Sequence, residues 1–217
     1  ATAHAADGDR SGLFGRDRVV RMSVDRETLN VYDAKADEYA TLVSSSENTQ
    51  LTAFMEQLAP GGTVLDLGCG PGNSAGAMAS AGFKVDATDA SDGMVKLAQK
   101  QPGVTAWRAT FDEISGEDAY DGIWANFSLL HASRGDMPRH LAALRRALKP
   151  GGVFHIGMKT GTGAERDGIG RYYTFYTEGE LDALLRDAGF QPFDKTTGEE
   201  VGLAGTVDPW VTLLCRG

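Results

Sequence analysis

Two hydrophobic periods alternate along this chain, which predicts that strands and helices follow one another. Short apolar runs rich in β-branched residues predict strands, and apolar positions three or four residues apart predict helices. The predicted strands are Thr63–Leu67, Lys84–Thr88, Val104–Arg108, Gly122–Ala125, Val153–Met158 and Val211–Cys215. The predicted helices between them are Gly72–Ala81, Asp92–Gln99, Asp136–Leu148 and Glu178–Ala188. This alternation is typical of βαβ units, so we expect a doubly wound α/β fold with a parallel sheet.

The residues before the first strand fall into two parts. Residues 1–22 show no apolar period, and we interpret them as a flexible leader. Between residues 23 and 60 the pattern is helical, with apolar residues from Leu29 to Val43 on one face and a second helix over Asn48–Leu58. We therefore predict an N-terminal helical cap over residues 23–60, at the front of a single domain that comprises residues 23–217.

Two long connections late in the chain are candidates for binding loops. Thr160–Tyr176 is rich in glycine and then in aromatic residues, and Glu199–Trp210 combines glycine with apolar and acidic residues. Connections longer than about 12 residues in a compact domain are usually lids, binding loops or disordered segments. We expect residues 160–176 to form a lid over a substrate.

The composition narrows the classes of partner. The 217 residues include 21 Lys and Arg against 30 Asp and Glu, a formal net charge of −9. This balance argues against binding to nucleic acid or an anionic membrane, both of which require basic surfaces. The two cysteines, Cys69 and Cys215, lie in unrelated contexts, which favours free thiols and a cytoplasmic location. Neither cysteines nor histidines show the spacing of metal ligands, so we expect no metal site.

The most specific motif is a glycine-rich turn after the first predicted strand. Val64–Gly72 reads VLDLGCGPG, with glycine at every second position of the turn. Glycine suits a turn with positive φ and allows a ligand to approach the backbone closely. A dinucleotide fingerprint requires a third glycine at position 73, where this chain has Asn73, and the lysine of a P-loop is absent. The motif therefore disfavours an NAD-dependent oxidoreductase and a P-loop nucleotidase.

VLDLGCGPG resembles the first motif of the class I S-adenosylmethionine-dependent methyltransferases. Residues 32–39, YDAKADEY, are similar to the helix that precedes this motif in that family, and the resemblance extends from about Tyr32 to Cys215. It implies a Rossmann-like seven-stranded sheet with an antiparallel last strand, S-adenosylmethionine as cofactor and S-adenosylhomocysteine as product. It also implies transfer of a methyl group to a small-molecule acceptor.

The expected cofactor site includes Asp89, at the tip of the second predicted strand. A carboxylate there can accept hydrogen bonds from both ribose hydroxyls, although an aspartate at this position could also cap the following helix. The resemblance places Met94 against the adenine, and Asn126 and Phe127 beside the methionine part. It also matches Thr110 to a position where the family often has an acidic residue. The full expected set is Tyr39, Asp66, Gly68, Cys69, Gly70, Gly72, Asp89, Ala90, Met94, Thr110, Phe111, Asn126 and Phe127.

The acceptor side of the site is less defined by the sequence. His131 is a candidate general base, with a structural histidine that begins the next helix as the alternative. The lid is expected to contact the substrate, with cations for an anionic acceptor and tyrosines as walls; these residues are Lys159, Arg166, Arg171, Tyr172, Tyr173 and Tyr176. The acceptor atom (N, O, S or C) and the oligomeric state stay open. A non-catalytic or regulatory cofactor-binding protein on the same fold is the alternative function.

Overall fold

A computed structural model describes residues 24–42, 48–202 and 205–217 of the chain. The predicted leader, residues 1–22, lies outside these ranges. Three short helices precede the sheet: α1 (Arg26–Ala34), α2 (Ala36–Leu42) and α3 (Thr49–Glu56). The predicted continuous first helix is thus interrupted at Lys35, where the backbone leaves the helical region with φ −113° and ψ 16°. Within the described ranges, no helix is both long enough and apolar enough to span a bilayer.

The rest of the described chain alternates strands with helices as the hydrophobic pattern predicts. The helices are α4 (Asn73–Ser80), α5 (Asp92–Ala98), α6 (Met137–Ala147) and α7 (Glu178–Asp187). The strands are β1 (Thr63–Leu67), β2 (Lys84–Asp89), β3 (Val104–Arg108), β4 (Tyr120–Asn126), β5 (Leu148–Lys159), β6 (Ala164–Arg166), β7 (Tyr172–Thr174), β8 (Gln191–Val201) and β9 (Val207–Arg216).

Seven of the strands form one sheet in the order β3-β2-β1-β4-β5-β9-β8. Strands β1 to β5 are parallel, and β9 pairs antiparallel with both β5 and β8. The order reverses between β1 and β4, so a crevice opens at the carboxyl ends of these two strands. This arrangement confirms the predicted doubly wound, Rossmann-like fold with an antiparallel last strand.

Helices cover both faces of the central strands, so most residues of β1 and β4 are buried. On one face, Phe54 of α3 and Met78 of α4 pack with Val64 and Trp124 in one apolar cluster. On the other face, α6 and α7 pack against β4 and β5 in a larger cluster that includes Phe154. The capping box that the sequence indicates at Thr177 and Glu180 starts α7.

The two long connections contain more regular structure than the sequence predicts. Glu199–Trp210 was expected to be a loop, and this expectation is wrong, because its two ends belong to β8 and β9 and pair in register from Glu199–Pro209 to Val201–Val207. Residues 160–176 contain the hairpin formed by β6 and β7, which pairs outside the main sheet. Cys69 and Cys215 are both free thiols.

Candidate functional site

The glycine-rich turn after β1 forms the floor of a pocket at the switch point of the sheet. Gly68 and Gly70 have φ of +69° and +54°, the left-handed region that favours glycine. A Cβ on Gly68 would lie 2.3 Å from Cβ of Ser128, so the turn packs directly against the segment after β4. A Cβ on Gly70 would meet only a ring carbon of Tyr39, at 3.6 Å. The backbone at Gly70 is therefore the part of the turn that a ligand can reach.

Asp89, at the end of β2, fixes this turn from the side. Its Oδ2 accepts a hydrogen bond from the amide of Gly70 at 2.9 Å, and its Oδ1 accepts one from the amide of Ser91 at 2.9 Å. The carboxyl group is buried, and burial raises its pKa above the ordinary value. Both oxygens keep a further lone pair for a ligand hydroxyl. Asp89 lines the pocket beside Gly70, as the sequence predicts.

Helix α1 covers the pocket from the N-terminal side. Its carboxyl-terminal end is tied to the start of α5 by Asp33, whose Oδ1 accepts from the amide of Gly93 at 3.1 Å and from the hydroxyl of Ser91. Its amino-terminal end contributes Asp25 and Thr28 to the pocket wall. Because Ser91 also binds Asp89, α1 and the carboxylate of β2 share one hydrogen-bonded cluster.

The far wall of the pocket follows β4. Phe127 has φ +52°, which is uncommon for a residue with a side chain and marks local strain beside the pocket. The neighbouring Asn126 is held by His155, which donates from Nε2 to its Oδ1 at 3.0 Å and stacks on Trp124 with ring centroids 3.6 Å apart. Ser128 is buried, and its hydroxyl has no hydrogen-bond partner within the described part of the chain.

His131 lies beside this wall with both ring nitrogens engaged. Nδ1 donates to the carbonyl oxygen of Tyr172 at 2.6 Å, and Nε2 lies 2.8 Å from the hydroxyl of Tyr32. Burial lowers the pKa of His131 to about 4, so the ring is neutral at physiological pH. A neutral ring with both nitrogens occupied does not present a free base to a substrate.

Most of the expected cofactor residues meet in this one pocket. Those that line it are Tyr39, Gly68, Gly70, Asp89, Ala90, Met94, Thr110, Phe111, Asn126 and Phe127. Asp66, Cys69 and Gly72 do not line it. Asp66 is buried beneath the turn, and Gly72 packs on α5, where a Cβ would lie 2.8 Å from Cα of Ala98. These two residues support the turn from below.

The structure does not bring the expected substrate residues to the pocket. Lys159 donates to Asp208 at 2.6 Å, Arg166 pairs with Asp25 at 2.7 Å, and Arg171 pairs with Asp167 at 2.7 Å. Each expected cation is thus neutralised by a carboxylate rather than available for an anionic acceptor. Tyr173 and Tyr176 are buried, and Tyr172 uses its backbone carbonyl for His131.

Sequence reasoning missed the contribution of α1 to the pocket. Thr28, Leu29 and Tyr32 of α1 line the site together with residues of the glycine-rich turn, and so do Val24 and Asp25, which directly precede the helix. The available signal was the YDAKADEY segment, which contains both Tyr32 and Tyr39 and was expected to contribute only Tyr39. These two rings pack edge to face, with centroids 5.7 Å apart.

The glycine-rich turn and its surroundings fit an adenosine-containing cofactor. Gly70 forms a cradle that a side chain would fill, and Asp89 offers carboxylate lone pairs next to it. Phe111 and Met94 supply apolar surface on the same side of the pocket. The buried hydroxyls of Ser128 and Thr88 line the same pocket, and neither has a hydrogen-bond partner among the residues that the structure covers.

Comparison with known proteins finds similarity to methyltransferases over part of the chain. The family model described as a methyltransferase domain matches residues 64–152, which include the turn, Asp89 and β4. The chain is 36% identical over 136 residues to a cypemycin N-terminal methyltransferase of Streptomyces sp, covering 58% of this chain and 56% of that protein. It is 31% identical over 119 residues to a malonyl-[acyl-carrier protein] O-methyltransferase of Pseudescherichia vulneris, covering 54% of this chain and 46% of that protein. The chain thus spans about half the length of the curated relatives it matches.

A solved structure shares the fold over nearly the whole chain. The 1,6-didemethyltoxoflavin-N1-methyltransferase of Burkholderia thailandensis, solved with 1,6-didemethyltoxoflavin and S-adenosylhomocysteine, superposes with a TM-score of 0.73. The match covers 93% of this chain and 92% of that one at 23% identity. At this identity the likeness shows a common fold, which agrees with the sheet order β3-β2-β1-β4-β5-β9-β8.

Proposed function

We propose that this protein transfers a methyl group from S-adenosylmethionine to a small-molecule acceptor. The observation that carries the proposal is the pairing of Asp89 with the amide of Gly70 at the switch point, which places a carboxylate beside an open glycine backbone. The carboxylate can accept hydrogen bonds from the ribose of the cofactor, and the open glycine backbone leaves room for its amino-acid chain. The relatives support the proposal, since the three described above are all named as methyltransferases.

When bound, S-adenosylmethionine supplies a methyl group that is already activated on a sulfonium, so direct in-line displacement by the acceptor is the expected route. The protein then has to orient the reactants and exclude water rather than provide a catalytic triad. Tyr39 and Phe127 line the pocket and can present aromatic faces to a cationic ligand. Helix α1 covers one side of the pocket with Thr28, Leu29 and Tyr32.

We further propose domain roles that agree with this function. The helices of residues 24–42 act as a cap on the cofactor, because Asp33 ties α1 to the loop that contains Ser91. The hairpin of β6 and β7 acts on the cap rather than on the substrate, since Arg166 pairs with Asp25 and the amide of Tyr172 donates to the hydroxyl of Thr28 at 2.8 Å.

Calorimetric titration of the purified protein with S-adenosylhomocysteine tests the proposal. We expect Asp89→Asn to weaken binding about ten- to a hundredfold, because the amide replaces a charged acceptor that binds both the ligand and the turn. Asp86→Asn is the matched control, a buried aspartate three residues earlier in β2 that accepts a hydrogen bond from Tyr120. Asp86 does not line the pocket, so the affinity of the Asp86→Asn variant for S-adenosylhomocysteine should stay close to that of the wild type.

Two results would redirect the assignment. Binding of NAD in place of S-adenosylhomocysteine would contradict the methyltransferase proposal and favour an oxidoreductase. Binding of S-adenosylmethionine without release of S-adenosylhomocysteine for any acceptor in a broad panel of amines, thiols and phenols would favour the non-catalytic alternative. The acceptors are screened by measuring S-adenosylhomocysteine release.

A further inference from the structure

The contacts between α1 and the hairpin converge on one histidine. A carbonyl oxygen can only accept, so the 2.6 Å contact with Tyr172 requires His131 to carry its proton on Nδ1. In the neutral ring, Nε2 is then an acceptor, and the hydroxyl of Tyr32 donates to it at 2.8 Å. His131 therefore accepts a hydrogen bond from Tyr32 of α1 at Nε2 and donates one to Tyr172 of the hairpin from Nδ1.

The hydroxyl of Tyr32 is itself oriented by a second group. Arg171 donates from Nη1 to this oxygen at 3.2 Å, and its Nε donates to Asp167 at 2.8 Å. The guanidinium is buried, and it lies 5.6 Å from the ring centroid of Tyr32 and 5.2 Å from that of Tyr173. Since an arginine can only donate, the hydroxyl proton of Tyr32 must point toward His131. Tyr173 also forms a side-chain hydrogen bond with Tyr32, so Tyr32 links His131, Arg171 and Tyr173.

The same helix reaches the cofactor side of the pocket through the next residue. Asp33 follows Tyr32 and binds the amide of Gly93 and the hydroxyl of Ser91, which lies two residues after Asp89. Tyr32 also lines the pocket and packs edge to face on Tyr39. A shift of Tyr32 would consequently move the wall of the pocket and the tether at Asp33 together.

We propose that Tyr32 and His131, oriented by Arg171, are positioning residues that hold α1 over the cofactor pocket, with His131 acting as a fixed neutral hydrogen-bond acceptor rather than as a base. The proposal rests on the proposed function only for the identity of the ligand in the pocket. It assigns to His131 a different role from the one expected from the sequence, and it adds Tyr32 to the functional residues.

The groups around His131 are consistent with a ring that stays neutral. Tyr32 faces it from α1, Lys159 from β5, and Arg171, Asp167 and Tyr173 from the segment of the hairpin. Burial is the main reason that its pKa is low, and the charges of Arg171 and Lys159 act in the same direction. The hydrogen bond to the carbonyl of Tyr172 and the charge of Asp167 raise the pKa of His131, but they do not offset burial, and Asp167 is paired with Arg171.

The first test compares two replacements of His131 by their affinity for S-adenosylhomocysteine. Leucine at position 131 cannot accept from Tyr32, so His131→Leu should weaken binding about tenfold, and Tyr32→Phe should do the same. Glutamine carries a carbonyl oxygen that can replace Nε2 as acceptor. His131→Gln should therefore recover most of the affinity that His131→Leu loses. Tyr120→Phe is the control, because it removes a buried hydroxyl bonded to Asp86 that lies outside the pocket.

Two outcomes of this test would overturn the proposal. One is wild-type affinity in both His131→Leu and Tyr32→Phe. The other is a His131→Gln variant that binds as weakly as His131→Leu. If the wild-type protein itself fails to bind S-adenosylhomocysteine, the proposed function fails, and the second test below still decides the role of His131.

The second test needs no ligand. Proton–nitrogen correlation spectra of the histidine rings should show His131 as the neutral Nδ1–H tautomer from pH 5.5 to pH 8. Tyr32→Phe should raise the pKa of His131 by about one unit, because the hydroxyl donates only to the neutral form of the ring. A proton on Nε2 in the wild-type protein, or an unchanged titration in Tyr32→Phe, would overturn the proposal.

Discussion

At the scale of single residues, Asp66 is a buried carboxyl group whose ionisation beside the site is costly. It lies in β1 beneath the glycine-rich turn and is buried. One of its oxygens, Oδ2, has no hydrogen-bond partner among the described residues, and the charge of Asp89 is close. Burial, with a smaller contribution from Asp89, raises the pKa of Asp66 to about 8. The carboxyl group is therefore protonated in the folded protein at neutral pH.

This shift predicts how stability depends on pH. A carboxyl group whose pKa is higher in the folded than in the unfolded state stabilises the fold at low pH, and that contribution is lost as pH rises from about 4 to about 8. Asp66→Asn removes the titrating group and keeps an oxygen that can accept the backbone hydrogen bond from Ala75. We expect the variant to show a smaller decline in the free energy of unfolding between pH 5 and pH 8, measured by urea denaturation.

The control for this prediction is Asp187→Asn, an exposed aspartate at the end of α7. Its stability profile should follow that of the wild type. A decline between pH 5 and pH 8 that is as steep in Asp66→Asn as in the wild-type protein would contradict the assignment of the effect to Asp66.

The positions of pocket residues could be predicted from the sequence where they depend on neighbours in the chain. Gly70 and Asp89 were identified because a glycine turn after a strand and a carboxylate at a strand tip are local signals. Lys159 and Arg166 were misjudged as substrate cations because their partners are distant, Asp208 lying 49 residues away and Asp25 lying 141 residues away. Only the fold brings these charges together.

At the scale of elements, two glycines of the glycine-rich turn have different roles: Gly68 is required for packing, and Gly70 for ligand binding. Gly68→Ala places a Cβ 2.3 Å from that of Ser128 in a left-handed conformation, so the variant should lose several kcal/mol of stability, roughly 2–4 by analogy with other overpacked or strained sites. Gly70→Ala has room beside Tyr39 and should cost only about 1 kcal/mol. It should nevertheless weaken S-adenosylhomocysteine binding at least tenfold, because the methyl group fills the cradle.

Urea denaturation and calorimetric titration measure the two effects separately. Equal stability of Gly68→Ala and Gly70→Ala would contradict the structural role given to Gly68. A Gly70→Ala variant that folds and binds the ligand normally would contradict the role of Gly70 as the open part of the turn.

One element that the sequence did not reveal is β8. Most positions of Gln191–Val201 are exposed, so neither face of the strand carries the alternating apolar pattern that marks a half-buried strand. Its strand conformation depends on backbone pairing with β9, which no local pattern encodes. The central strands β1 and β4 were predicted well because both of their faces are buried and their sequences are correspondingly apolar.

At the scale of the whole molecule, the pocket is assembled from parts of the chain that are far apart. Helix α1, the glycine-rich turn, the end of β2 and the segment after β4 each supply a wall. Because these four walls meet only in the native fold, the pocket exists for a ligand only when they are in their native arrangement. Ligand binding is consequently linked to the folding of the complete domain.

This linkage gives a quantitative prediction for thermal unfolding. A ligand present at 100 times its Kd stabilises the native state by about 2.7 kcal/mol, which for a chain of this size corresponds to a rise in Tm of about 5–10 °C. We expect S-adenosylhomocysteine to produce this rise in the wild-type protein, and NAD at the same concentration to produce none. Asp89→Asn should lose half of the rise or more at that ligand concentration, whereas Asp86→Asn, which removes a buried carboxylate outside the pocket, should retain it. Scanning calorimetry of the three proteins checks this, and an equal rise in Asp89→Asn would show that the ligand binds somewhere other than the pocket beside Gly70.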